Sequence, residues 1–131
     1  DGSSSNDSGY LLNEARQAML LQRVNLGANK FSPREALFTA TRGGAEVLNR
    51  NDIGQISVGK AADFAIYDLN KIAMSGAWSD PLAALVLCTP AETAYTICNG
   101  EVISQNGHLN NFDLNLSLEK HKAASKRLLD L

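Results

Sequence analysis

Asn99-Gly100, set between two alternating apolar runs, constrains the fold of this sequence more than any other feature. Asn-Gly is the favoured pair for a two-residue hairpin, because both central positions need positive φ. Thr93 to Cys98 and Glu101 to Ser104 therefore read as two antiparallel strands. A lone hairpin is marginal in water, so other segments must cover one of its faces. Ala62 to Asp68 alternates in the same way and supplies a third strand.

The covering elements are helices. From Leu11 to Val24 the apolar residues Leu11, Leu12, Ala15, Ala18 and Met19 recur at three- and four-residue spacing, with Glu14, Arg16, Gln17 and Arg23 between them. A second helix opens at Ser32-Pro33-Arg34-Glu35, which sets a hydroxyl at the N-cap, proline at the first position and glutamate at the third. It is expected to run from Pro33 to about Leu48. Gly43-Gly44 falls inside it and leaves two readings open, close packing against a neighbouring element or a break in the helix. Ser79-Asp80-Pro81 caps a short helical turn through Leu82 to Leu87, and Asn115 to about Leu129 returns to helical spacing with Lys126 and Arg127 near its end.

With 131 residues there is room for one domain with a real core. Charged residues make up 20% and nearly cancel, leaving a formal charge of −2, so no nucleic-acid or anionic-membrane partner is expected. No apolar run approaches the roughly 20 residues that span a bilayer, which points to a soluble, cytoplasmic protein. Cys88 and Cys98 lie in apolar stretches and are expected to be buried, reduced thiols. The first residue is Asp rather than Met, and upstream sequence is expected. Two helices followed by three or four strands also leave open sheet edges, as in a piece of something larger.

Taken residue by residue, the chain carries little chemistry. His108 and His121 have no partner at HxH or HExxH spacing, and a zinc site needs about three protein ligands. Both read as surface histidines. Asp68 and Asp80 suit turn and cap roles, and no GxSxG elbow, CxxC pair or phosphate-binding loop occurs. By composition Asp1 to Gly9 is a flexible terminus.

Four stretches nevertheless carry a resemblance: Asp1-Gly2-Ser3-Ser4-Ser5-Asn6-Asp7, then Leu12-Asn13-Glu14-Ala15-Arg16, then Ala36 to Gly44, then Ile53 to Phe64. In this order they are similar to the end of the triazine-hydrolase and purine-deaminase branch of the amidohydrolase superfamily. Asp80 to Cys88 and the hairpin Tyr95 to Val102 resemble its 8-oxoguanine deaminase subgroup most.

The resemblance implies an α+β piece: the last helices of a (β/α)8 barrel, part of a small β-sandwich and a C-terminal helix. Residues 1–50 would be the end of the barrel, 51–112 the sandwich part with a short inserted helix, and 113–131 the terminal helix. It also implies hydrolytic deamination of an amino-substituted purine or triazine, with release of ammonia. Asp1 matches the family's metal ligand, zinc being the expected metal, and its proton carrier; Ser3, Ser4, Ser5 and Asn6 accompany it without an assigned substrate contact. The implied partners are a small heterocyclic substrate, the missing N-terminal part with its HxH pair, and further copies in a homo-oligomer. With Asp1 alone of the ligand set, the 131-residue chain is expected to be inactive by itself. The alternative is a noncatalytic module for assembly or partner binding.

Overall fold

A computed structural model describes residues 8–88 and 91–129, and the elements follow the sequence pattern closely. Helix α1 spans Leu11–Leu26 and buries Leu12, Ala15 and Met19, one stripe at helical spacing. Helix α2, Pro33–Phe38, starts with the expected reciprocal box: Ser32 Oγ accepts from the Glu35 N–H at 3.3 Å, and the Ser32 N–H donates to Glu35 Oε2 at 2.6 Å. The Gly43-Gly44 pair produces a third outcome beside the two left open. The helix neither breaks nor admits a neighbour there but widens into a π turn, Thr39–Gly43, before α3, Gly44–Val47.

A Cβ at Gly43 would stand 3.3 Å from the Phe38 carbonyl oxygen, so the glycine relieves crowding inside its own widened turn. The close approach from outside is made by Gly54. It has φ +84°, and a Cβ there would lie 2.8 Å from Ala45 Cβ and 3.0 Å from Arg42 Cα. The chain after α3 thus folds back directly onto the helix.

The sheet has strand order β1-β2-β3-β4, all antiparallel: β1 Phe64–Tyr67, β2 Thr93–Cys98, β3 Glu101–Gln105 and β4 His108–Leu109. Asn99 and Gly100 take φ of 49° and 83°, as the hairpin requires. Asn106-Gly107 repeats this geometry and adds β4, a two-residue strand too short for alternation to reveal. Asp63 Oδ1 accepts the Asn99 N–H at 2.7 Å, which ties the first hairpin to the start of β1. Between β1 and β2 come a 3-10 turn, Ile72–Met74, and α4, Pro81–Leu87, where Asp80 accepts the Ala83 N–H at 3.0 Å.

Two small cores result. Ala15, Met19, Ala36 and Val86 join α1, α2 and α4; Leu12, Met74 and Ala91 join α1 to the segments flanking the sheet, and Leu37 touches both. Helix α5, Leu114–Leu129, is N-capped by Asp113 and buries no side chain. One expectation is corrected. Cys98 is exposed, because it closes β2 beside the hairpin turn at the end of the sheet, and Cys88 is only half-buried; both thiols are free.

Ser32→Ala is expected to lower stability by roughly 1 kcal/mol, measured by chemical unfolding at neutral pH. The Ser32 N–H and hydroxyl hold the Glu35 carboxyl below its ordinary value of 4.5, so the contribution is present above that pH and is lost as pH falls through the lowered value. The gap between wild type and variant should therefore narrow in acid without closing, because the Ser32 Oγ bond to the Glu35 N–H does not depend on the carboxyl's charge. Gly54→Ala should destabilise clearly more than Gly59→Ala, since both glycines have positive φ but only Gly54 meets other atoms. Equal melting temperatures for the two would contradict the packing described.

Candidate functional site

An open cleft of about 1260 Å³ lies between the N-terminal end of α1, the C-terminal end of α2 with the π turn that follows it, and the face of β1 and β2. Its walls are mostly apolar: Leu37, Ala40, Ile53, Phe64 and Leu85 line it, with Tyr10 and Tyr67 at one side and Thr93 and Thr96 on the sheet. The two threonine hydroxyls lie 3.2 Å apart. Its charged lining residues, Asp63 and Glu92, are both acidic.

Tyr10 fixes the geometry of one wall. It stands at the N-cap of α1 without capping it, and its hydroxyl accepts the Ala91 N–H at 3.0 Å while donating to the Ala91 carbonyl oxygen. One side chain thereby ties the entry of α1 to the approach to β2, 81 residues away. Burial first, and the neighbouring Tyr10 second, push the Tyr67 phenol above its ordinary value of 10.0.

Asp1, the one residue singled out for catalysis and metal binding, lies outside the described residues, as do Ser3, Ser4, Ser5 and Asn6. Among the described residues no group of three or more His, Cys, Asp or Glu side chains is gathered as a metal site would need. The described residues by themselves therefore do not make up a zinc site. His108 and His121 sit exposed on β4 and α5, and the His108 ring faces its own turn, with Nδ1 3.1 Å from the Asn106 carbonyl oxygen. Asp68 and Asp80 fill the turn and cap roles expected of them, Asp68 accepting the Asn70 N–H at 2.9 Å. No helix among the described residues is long and apolar enough to cross a membrane.

The sequence reading missed the cleft, the Tyr10 latch and the π turn. Gly43-Gly44 followed by Gly54 was the available sign of the turn and its close neighbour; Tyr10 offered none, since its partner is backbone far along the chain. A further polar group stands out: Arg16 Nε, on α1, is buried with no acceptor among the described residues.

Comparison with known proteins gives a consistent picture. The model of the amidohydrolase family matches residues 1–103. The chain is 40% identical over 129 residues to an 8-oxoguanine deaminase of Pseudomonas aeruginosa, covering 98% of this chain and 28% of that protein. It is similar to the crystal structure of an atrazine chlorohydrolase from Arthrobacter aurescens complexed with zinc, at a TM-score of 0.85 and 34% identity, over 93% of this chain and 28% of that one. It also matches an adenosine deaminase structure from Xanthomonas campestris with bound zinc, at 0.90 and 26%, over all of this chain and 30% of the other. The chain thus spans under a third of the length of each of these relatives.

Tyr10→Phe should lower stability by roughly 1–3 kcal/mol, because it leaves both polar groups of Ala91 without the hydroxyl. In an alkaline titration followed by phenolate absorbance, a step above the ordinary tyrosine value of 10.0 should be lost in Tyr67→Phe. Since burial raises the Tyr67 value, its contribution to stability is complete below the unfolded value near 10 and is lost as pH rises through the folded one.

Proposed function

The chain belongs to the amidohydrolase family, and from that premise we propose that it is the C-terminal portion of a metal-dependent hydrolytic deaminase. The substrate proposed is an amino-substituted purine of the 8-oxoguanine kind, with a triazine as the second choice. The observation that carries this reading is the 40% identity to an 8-oxoguanine deaminase along almost the whole chain. In the longer protein, residues 1–50 would close the catalytic barrel, 51–112 would belong to the sandwich and 113–131 would form the terminal helix. The family match and the similarity to zinc-bound structures support this reading over a noncatalytic assembly module.

The reaction proposed adds water across the ring carbon that bears the amino group and expels ammonia. Bound zinc would supply the acidity that makes the water a nucleophile at neutral pH. Asp1 is assigned as one ligand and as the carrier that takes a proton from the attacking water and returns it to the departing nitrogen. Such a residue belongs at the C-terminal end of a barrel strand, where barrel enzymes gather their catalytic groups. Tyr10, nine residues on, ties the entry of α1 to the approach to β2.

Changing Asp1 to alanine in the longer protein should reduce ammonia release from 8-oxoguanine by at least about 10³-fold while leaving the melting temperature within a few degrees. Near-normal turnover in a folded Asp1→Ala protein would remove Asp1 from the mechanism.

A further inference from the structure

The Asn-Gly turns that shape the sheet carry chemistry of their own, independent of the function proposed above. The side-chain amide of an asparagine followed by glycine is open to attack by the next backbone nitrogen, because no Cβ shields that nitrogen. Asn49, Asn99, Asn106 and Asn111 all have positive φ. Asn49 and Asn111 precede Arg50 and Phe112, which leaves Asn99-Gly100 and Asn106-Gly107. Their backbones match, with φ of 49° and 83° in the first turn and 48° and 79° in the second. What differs is the set of groups bonded to each turn.

In the first turn the Gly100 N–H donates to the Ala62 carbonyl oxygen at 2.9 Å, and the Asn99 N–H donates to Asp63 Oδ1 at 2.7 Å. The Gly100 nitrogen must leave Ala62 before it can swing towards the Asn99 side chain, and the negative Asp63 carboxylate beside it opposes loss of its proton. In the second turn the Asn106 N–H donates to the Ala94 carbonyl oxygen at 2.9 Å, but that nitrogen does not move in the attack. The Gly107 N–H has no such backbone acceptor among the described residues. His108 Nδ1 lies 3.1 Å from the Asn106 carbonyl oxygen. A carbonyl oxygen only accepts, so Nδ1 carries the proton and draws electron density from the same peptide group whose nitrogen attacks. Strand β4 beyond the turn is two residues long and adds little to hold the turn shut. These contacts all lie between Ala62 and His108 within one sheet, and none of them depends on a face left bare.

We propose that Asn106 is a site of self-modification, deamidating through Gly107 in the folded protein while Asn99 is protected. The Gly107 nitrogen gives up its proton and bonds to Asn106 Cγ; the Cγ–Nδ2 bond breaks, and the side-chain nitrogen leaves with that proton as ammonia. The product is a cyclic imide. Water then adds to either imide carbonyl and breaks its bond to the Gly107 nitrogen, so water is the only co-reactant. Opening at Cγ leaves an aspartate, whereas opening at the backbone carbonyl routes the chain through Cγ as an isoaspartate. The lengthened isoaspartate turn no longer fits the Gln105–His108 pairing.

The test is peptide mapping by mass spectrometry of the longer protein, incubated folded at neutral pH in water enriched in ¹⁸O, which marks each new carboxyl. Aspartate and isoaspartate should accumulate at Asn106 at least about 5-fold faster than at Asn99, the factor that one ordinary hydrogen bond contributes. In guanidinium chloride the two rates should draw together. His108→Ala should slow the Asn106 reaction about 2- to 10-fold. If the ring only held the turn shut, its loss would speed the reaction instead. Asp63→Ala should speed the reaction at Asn99 and leave Asn106 unchanged. The proposal is overturned by an unreactive Asn106 in the folded protein, by an Asn99 that reacts as fast, by a ratio that persists in guanidinium chloride, or by a faster Asn106 in His108→Ala. An unchanged Asn99 rate in folded Asp63→Ala would overturn the protection assigned to Asp63.

Discussion

Everything in this structure depends on the contact of α1, α2 and α4 through Ala15, Met19, Ala36 and Val86. Met19, Ala36 and Val86 are fully buried, and the alanines let the helices approach closely enough for Met19 and Val86 to fill the space between them. Val86 is the critical member, because α4 belongs to the excursion between β1 and β2 and carries the sheet with it. The second core, Leu12 with Met74 and Ala91, and the Tyr10 hydroxyl add the remaining links between helices and strands. Without the first cluster the hairpins would have little to hold them, since four short strands do not form a stable sheet in water by themselves.

The local grammar of the chain was readable wherever a residue type has one physical use. Ser32-Pro33-Arg34-Glu35 could only open a helix, Asn99-Gly100 could only turn a hairpin, and Asp80-Pro81 could only cap. What escaped depends on contacts between segments distant in sequence. Gly54 returns onto Arg42 and Ala45 beside the π turn, and Cys98 lies in an apolar stretch yet ends exposed because the strand stops at the turn. The cleft exists only once β1 and β2 face the helices, and its Tyr10 anchor bonds to backbone 81 residues away. The one chemical candidate, Asp1, was legible through family resemblance alone, since a single aspartate has no spacing to argue from.

More large apolar side chains are exposed than buried, among them Val24 and Leu26 on α1 and Val47 and Leu48 after the π turn. Arg16 Nε is buried without an acceptor among the described residues. Helices with apolar residues on more than one side are what a segment shows when further polypeptide normally packs on it. This agrees with a chain that spans under a third of its relatives' length, and it gives the reading as part of a larger amidohydrolase a physical basis beside the sequence similarity.

The central claim is that the chemistry proposed needs groups that these 131 residues do not supply. It is tested most directly by steady-state ammonia release from 8-oxoguanine, measured at equal molarity with zinc present for the longer protein and for the 131-residue chain. The longer protein should turn over and the 131-residue chain should not rise above the blank. Turnover by the purified 131-residue chain at a comparable rate would contradict the account.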